Sequence, residues 1–395
     1  MDSVIVGVDN SDSSTRAVEF AAERGLRNRW KVVVLHVIPW SPYSFQTPSE
    51  NEHRHREREA ELATLGLLNH LAPLAYGGAG LGRDVDRQLH ETIAGGCFNT
   101  WLVWAQHAPL VGRLAASAQP LSPLAERVLR GEVLVGAAIS DVRRFPHGSL
   151  RARRSAQGWR VDGTASWVTG WGLSTALVVA AVEHDTRTVV TALVPVGAGL
   201  RSEPLDLTVV RGSRTERVHL DRVLIAEEHV IAVQSLDEWQ QQDLGVASDA
   251  RPHHFGRAAT LLDELGRSDQ PLARQVAEQW RPRIAELRRR AYALSDAATE
   301  HGGDHRLAER LRLKAASGEA LATLSRALVV ARSGHGITTD DTAQLHAASA
   351  SFVLVQGQTR AVRDTQLTTI LNQTTTSEQT TAFEQTTTDE QTGTI

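Results

Sequence analysis

The chain has 395 residues, of which 41% are hydrophobic and 22% charged, and this composition and length predict a globular protein of two or three packed units. Its formal net charge of −4 gives no global basic excess that would recruit nucleic acid or an anionic membrane. The single cysteine, Cys97, excludes an intrachain disulfide and a multi-thiolate metal site.

The first forty residues are predicted to form a β-α-β segment. Val4–Val8 and Val32–Ile38 are apolar runs of strand length, and residues 13–27 between them follow a helical period. Two continuous apolar strands joined by a helix are typical of a parallel pair. Such a pair has open edges and only one helix, so we expect it to dock on another part of the protein.

Residues 3–40 resemble the universal stress protein family in the strings VIVGVDNSDSSTRAVEFAAE and KVVVLHVIPW. In that family the aspartate after the first strand, here Asp9, and the end of the second strand, near Val37, help to hold an ATP adenine. The later glycine-rich phosphate loop of ATP-binding members has no counterpart in this sequence. Because adenine contacts alone rarely hold a triphosphate, we expect no ATP binding.

Residues 41–60 are polar, and His53 to Glu59 form a densely charged run. A run of this kind is typical of a solvated helix face with pairs of opposite charge one turn apart. Metal binding by His53 and His55 is the alternative, although no carboxylate or third histidine lies at ligand spacing.

From residue 61 the composition becomes that of a helical domain. We predict a helix over residues 61–71 that ends before Pro73, followed by helical segments over 84–131. Trp101 and Trp104 are three residues apart and therefore share one face of their helix.

Residues 133–230 change to a period of two, with glycine-bearing turns between several runs, which predicts an antiparallel β domain. From about residue 245 to 367 the helical period returns. One apolar stripe in this part runs through Leu307, Leu311, Ala315, Leu321, Leu324 and Leu328.

The last residues are rich in Thr, Gln and Glu, and the triplet Glu-Gln-Thr recurs at 378, 384 and 390. Few apolar residues are available for a core, so we predict a disordered tail over 368–395. The longest strongly apolar stretch, residues 176–182, is shorter than the roughly 20 residues that span a bilayer. With no signal-peptide pattern at Met1, we expect a cytoplasmic protein without a membrane span.

Residues 60–367 resemble the acyl-CoA dehydrogenase family of flavoproteins in three strings that follow in order, LGLLNHLAPLAYGGAG, GWRVDGTASWVTGWG and ARSGHGI. The resemblance implies an α+β fold with a helical domain, an antiparallel β domain and a C-terminal helical bundle, here preceded by the β-α-β segment. The predicted units are 1–45 (β-α-β segment), 46–132 (helical), 133–232 (β), 245–367 (helical) and 368–395 (tail).

The resemblance implies FAD as the cofactor. In the family, a tryptophan followed two residues later by threonine or serine lies against the isoalloxazine ring, and Trp167 and Thr169 occupy these positions. A flat apolar side chain excludes water from the redox centre, and a hydroxyl near N5 polarises it. Gly334 and Gly336 match the family's later glycine segment and allow close approach of a cofactor.

Two flavin-binding segments of the family are altered in this chain. The segment that usually reads close to TEPGAGSD corresponds to residues 137–142, which contain no glycine pair. The family's Arg-x-x-Phe-Gly segment, which binds the FAD phosphate of a neighbouring subunit, is replaced by residues 264–268, Glu-Leu-Gly-Arg-Ser. No metal ligand set is expected.

The catalytic base of the family is also missing. Family enzymes remove an α-proton with a glutamate, and Gln356 stands at its usual place. An amide cannot accept that proton at a useful pKa. In other members the glutamate precedes a helix arginine, and here that pair is Ala250 and Arg251. Asp249 and Asp243 are the nearby carboxylates that could replace it.

Two functions follow from the resemblance. The first is α-β desaturation of an acyl-CoA or a similar acyl thioester, an oxidoreductase reaction of fatty acid metabolism, by a homo- or hetero-oligomer. The second is a catalytically inactive member that serves as a structural or partner subunit, and it is favoured by Gln356 and Ala250. A nucleotide-binding stress protein is a third interpretation, supported only by the first forty residues.

Overall fold

The computed structural model describes residues 3–8, 12–28, 30–36, 61–118, 120–338 and 341–372. Asp9, Val37, His53 and His55, to which the sequence analysis assigned roles, lie outside these ranges, as do residues 373–395. The chain divides into two compact units, one of residues 1–236 with 337–344 and the other of residues 237–336 with 345–395. Among the described helices, none has the length and apolarity needed to cross a bilayer.

The predicted β-α-β segment is confirmed. Strand β1 (Ser3–Val8), helix α1 (Asp12–Asn28) and strand β2 (Lys31–His36) follow one another, and the strands pair in parallel. Gly25 permits the close approach of α1 to β2, because a Cβ atom there would lie 2.4 Å from Cγ2 of Val32.

The predicted helix over 61–71 is wrong beyond residue 64. Residues 61–64 are helical, but Gly66 adopts φ +70°, a left-handed conformation that ends a helix, and turns follow. The following helices are α2 (Arg83–Gly96), α3 (Phe98–Ala115) and α4 (Pro123–Leu129). Trp101 and Trp104 both lie on the buried face of α3, as predicted.

The β domain contains eight strands, β3 (Val135–Ala138), β4 (Arg151–Ser155), β5 (Gly158–Val168), β6 (Ala176–Glu183), β7 (Thr188–Pro195), β8 (Leu200–Pro204), β9 (Glu216–Ile225) and β10 (Val230–Ser235). They form one sheet of order β10-β7-β6-β4-β5-β9-β8, with β3 pairing with β6. One face carries a core of mainly Val, Leu and Ala side chains.

The sheet is mixed, so the prediction of a wholly antiparallel domain needs correction. Strand β3 runs parallel to β6 over residues 176–179, whereas β4 contacts β6 only at the pair Arg151 and Val182. Without β3, the first half of the buried strand β6 would have an open edge. Strand β3 satisfies those backbone groups, which a buried sheet requires.

The second unit contains helices α5 (Leu236–Ala247), α6 (Pro252–Gly266), α7 (Pro271–His301), α8 (Leu307–Arg332), α9 (Thr342–Val355) and α10 (360–372). Helices α6, α7 and α8 pack against one another. The apolar stripe predicted on α8 is buried at Ala315, Leu321, Leu324 and Leu328. Helix α10 continues to residue 372, so the predicted start of the tail at 368 falls inside a helix.

His107 on α3 connects the helical segment to the sheet. Its Nε2–H donates to the carbonyl oxygen of Leu68 at 2.6 Å, and its Nδ1 accepts from the Val135 N–H at 3.2 Å. Only one ring nitrogen carries hydrogen in this arrangement, so the imidazole is neutral. Burial lowers the pKa of His107 to about 4, against the opposing effect of the Leu68 hydrogen bond.

We expect the free energy of unfolding to fall as the pH decreases from about 6.5 toward 4. In that window His107 takes up a proton in the unfolded chain but not in the folded one, at a cost of about 1.4 kcal/mol per pH unit. Urea denaturation at several pH values measures the slope. The variant His107→Gln, which keeps a donor and an acceptor, should show a smaller slope, and an unchanged slope would rule out this origin.

Candidate functional site

Trp167 lies near the end of β5, where that strand contains one extra residue. Ala165 pairs with Val218 and Val168 with Glu216, so three steps along β5 match two steps along β9. A bulge of this kind redirects a side chain. The indole of Trp167 is 52% exposed although Ala165 and Val168 are buried, which is typical of a binding surface.

The turn that follows β3 lies against this bulge. The buried carboxylate of Asp141 accepts a hydrogen bond from the Ser166 N–H at 2.7 Å, and Arg144 donates to the Ser166 hydroxyl at 2.8 Å. Ile139, which starts the turn, is 39% exposed. Two large apolar side chains, Ile139 and Trp167, are therefore presented by segments that are hydrogen-bonded to each other.

Thr169 follows the bulge, and its hydroxyl group belongs to a chain of three hydroxyl groups. The Oγ1 atoms of Thr169 and Thr215 are 2.9 Å apart, and Oγ1 of Thr215 lies 2.7 Å from Oγ of Ser213. The tryptophan motif in the sequence predicts Thr169, but no sequence pattern points to Thr215 or Ser213, which lie more than forty residues away along the chain.

Backbone hydrogen bonds hold the hydroxyl chain in place. The N–H of Gly170 donates to the Ser213 carbonyl at 2.9 Å, and the N–H of Trp171 donates to the Arg214 carbonyl at 3.0 Å. Gly170 has φ +78°, which favours glycine, and the loop that bears Thr215 also contains Arg214 in a left-handed conformation. The turn after β5 and the loop before β9 are thus fixed to each other.

Gly136 on β3 allows this turn to lie close to the sheet. A Cβ atom there would lie 3.0 Å from Leu177 Cδ2, 3.1 Å from the Thr169 carbonyl oxygen and 3.2 Å from Ser174 Oγ. We expect Gly136→Ala to lower the free energy of unfolding by about 1–3 kcal/mol, since a packed site resists an added methyl group. The variant Gly197→Ala is the matched control, because a Cβ at Gly197 meets nothing within 4 Å. Equal unfolding curves for the two variants would contradict the prediction.

Gln356, the residue at the place of the family base, follows α9 in the second unit. Its side-chain Oε1 is buried and has no hydrogen-bond partner. The buried Lys314 on α8 donates to the Gln356 carbonyl at 3.4 Å and to the Ala247 carbonyl at 2.6 Å. Lys314 therefore brings an ammonium group to Gln356 and to the segment that precedes Ala250.

Ala250 and Arg251 lie between α5 and α6. Ala250 is buried and offers only a methyl group. The Arg251 guanidinium donates to the Val246 carbonyl at 3.1 Å, and its backbone N–H donates to Nδ1 of His254 at 3.2 Å. Burial, followed by the positive charge of Lys314, lowers the pKa of His254 to about 3, so this ring is neutral at pH 7.

Both carboxylate oxygens of Asp249 accept hydrogen bonds within the second unit. Its Oδ1 accepts from Nε of the buried Arg310 at 2.7 Å, and its Oδ2 accepts from the Ser295 hydroxyl at 3.1 Å. Arg310 also donates to the carbonyls of Gly303, at 2.6 Å, and Gly245. Both carboxylate oxygens of Asp249 are therefore held by side chains of the second unit, and the guanidinium that they balance is itself buried.

The two predicted cofactor glycines lie in a short 3-10 helix, Ser333–Ile337, after α8. A Cβ atom at Gly336 would lie 2.7 Å from the Val329 carbonyl oxygen, so packing on α8 already accounts for this glycine. A Cβ at Gly334 would meet nothing within 4 Å. Only Gly334 therefore leaves open space beside its backbone.

The universal stress protein family model matches residues 1–93, which extends past the forty residues on which the resemblance was based. No curated protein sequence matches the chain. Among solved structures, a probable acyl-CoA dehydrogenase from Mycobacterium abscessus has a TM-score of 0.67 and 16% identity, over 82% of this chain and 93% of that one. The chain has the acyl-CoA dehydrogenase fold.

Two further structures show the same fold. Butyryl-CoA dehydrogenase from Megasphaera elsdenii has a TM-score of 0.65 and 14% identity, over 92% of this chain and 99% of that one. KijD3 in complex with FMN and dTDP-3-amino-2,3,6-trideoxy-4-keto-3-methyl-D-glucose has a TM-score of 0.65 and 18% identity, over 84% and 96%. The acyl-CoA dehydrogenase fold thus includes proteins with different ligands.

The residues at the end of β5 fit one part of a flavin. Trp167 and Ile139 are exposed apolar side chains on segments joined through Ser166, and an exposed indole is suited to stacking on a flat ring. Thr169, two residues after Trp167, is 9% exposed and its hydroxyl group is bonded to Thr215. Among the described residues, no group of three or more His, Cys, Asp or Glu side chains is placed to hold a metal ion.

Proposed function

We propose that this protein of the acyl-CoA dehydrogenase fold is a flavoprotein that binds FAD through the surface of Trp167, Ile139 and Thr169. The observation that supports it is the bulge in β5, which exposes a large indole next to an ordered hydroxyl group. A bound flavin supplies a hydride acceptor. Trp167 would exclude water from one face of the ring, and Thr169 would orient it.

We further propose that the protein does not desaturate acyl thioesters efficiently, in agreement with the second of the two functions considered from sequence. Proton abstraction requires a base, and Gln356 and Ala250 cannot serve as one. Asp249, the carboxylate next to Arg251 in sequence, is paired with Arg310 and Ser295. In that case this protein would be the inactive partner subunit of an oligomer. It could bind an acyl-CoA or a similar thioester but would not oxidise it rapidly.

The flavin proposal is tested by titrating the purified protein with FAD and with FMN and recording the visible spectrum. We expect a bound oxidised flavin with FAD, and weaker binding to Trp167→Ala, because the aromatic surface is lost. Trp280→Ala is the control, since Trp280 is a partly exposed tryptophan on α7, outside the β domain. Absence of a bound flavin spectrum, or equal affinity in both variants, would overturn the proposal.

A further inference from the structure

The three hydroxyl groups of Ser213, Thr215 and Thr169 form two hydrogen bonds, and their protons can be counted. Each hydroxyl group carries one proton and can accept from others. Two protons are used by the bonds of 2.7 Å and 2.9 Å, so one proton is left for a partner outside the chain. The position of that proton determines what the chain of hydroxyl groups can do.

Burial decides where the remaining proton lies. Ser213 is 0% exposed, Thr215 is 7% exposed and Thr169 is 9% exposed, so all three side chains are buried and Thr169 is the most accessible of them. The described hydrogen bonds of the Ser213 and Thr215 hydroxyl groups are those within the chain. A buried donor without an acceptor costs about 1–3 kcal/mol, whereas an idle lone pair costs less. The favourable order is therefore Ser213 donating to Thr215 and Thr215 donating to Thr169. The free proton is left on Thr169, beside the exposed Trp167.

We infer that Ser213 and Thr215 are positioning residues that make the Thr169 hydroxyl group an outward-directed hydrogen-bond donor. This inference rests on the proposed flavin site, where the acceptor would be N5 of the oxidised ring. Once N5 carries hydrogen it no longer accepts. The Thr169 proton can then be satisfied only if the chain reverses, which leaves the Ser213 proton buried without a partner. The chain of hydroxyl groups thus stabilises the oxidised flavin more than the reduced one.

The test uses the FAD-loaded protein and the variants Thr215→Val, Ser213→Ala and Thr215→Ser. Thr215→Val should bind oxidised FAD about tenfold more weakly, with binding of the reduced form unchanged, as expected for the loss of one directed hydrogen bond. For a two-electron couple this tenfold change raises the midpoint potential by about 30 mV. Ser213→Ala should shift the potential in the same direction, and Thr215→Ser, which keeps the hydroxyl group, should restore the wild-type value.

The control is Thr186→Val in the β6–β7 hairpin, where an exposed hydroxyl group bonds only to neighbouring side chains. An unchanged potential in both Thr215→Val and Ser213→Ala overturns the inference, as does a shift of equal size in Thr215→Ser. These outcomes can be distinguished from failure of the proposed function. If the proposed function is wrong, the wild-type protein itself binds no flavin.

Discussion

On the proposal that the protein binds FAD, and on the resemblance that puts Gln356 at the place of the base, we expect Gln356→Glu to increase the rate at which acyl-CoA reduces the flavin by at least about 10²-fold, because a positioned general base contributes about 10²- to 10⁴-fold. The substitution changes little volume. Burial would raise the pKa of the new carboxyl group, but Lys314 opposes this, since its Nζ lies 3.4 Å from the carbonyl oxygen of the same residue. Stopped-flow bleaching of the flavin by a panel of acyl-CoA esters measures the rate.

Gln358→Glu is the matched control for this experiment. It makes the same change of amide to carboxylate two residues away, where the side chain donates to the Gln366 Oε1 at 3.3 Å. We expect no acceleration in that variant. A wild-type protein reduced as fast as Gln356→Glu would show that another residue, Asp249 or Asp243, already removes the proton.

Asp249→Ala should lower the free energy of unfolding by about 3–5 kcal/mol, the usual cost of removing one partner from a buried ion pair. The guanidinium of Arg310 would remain buried with two carbonyl oxygens but without a balancing charge. Chemical denaturation measures the loss. The same variant tests the role of Asp249 as a base, since that role predicts loss of flavin reduction in a protein of normal stability.

Asp263→Ala provides the comparison. Asp263 pairs with Arg281 at 2.9 Å on the surface, where both side chains are about half exposed. An exposed pair contributes about 0–1 kcal/mol, so this variant should unfold close to the wild type. If the two aspartate variants are equally stable, the pair of Asp249 and Arg310 does not carry the energy assigned to it.

The order of elements follows from sequence periodicity, because helices and strands each bury one face and therefore repeat their apolar residues. This is why the strands around Trp159, the stripe through Leu321 and the two tryptophans of α3 were predicted. The sequence pattern does not predict β3 as a separate strand, because its four residues are all buried and show no alternation. Its parallel pairing with β6 depends on an edge that β4 leaves open, which is a property of the assembled sheet.

The sequence predicts a residue of the candidate site only where the type of that residue, or the absence of an expected type, is itself informative. Trp167 and Thr169 were found through a motif, and Gln356 and Ala250 through the lack of a carboxylate. Thr215 has no motif, since its role comes from a distance of 2.9 Å to a residue on another strand. The engagement of Asp249 likewise depends on Arg310, sixty-one positions along the chain.

Lys314 and Lys31 are the only lysines of the chain, and the burial of one of them has a practical consequence. Amine-directed reagents react with accessible side chains, so in the folded protein Lys31, which begins β2 and is partly exposed, is the lysine available to them. A fluorophore attached there would sit on the two-stranded N-terminal segment without any substitution in the sequence. Its anisotropy would report directly whether that segment tumbles with the rest of the protein.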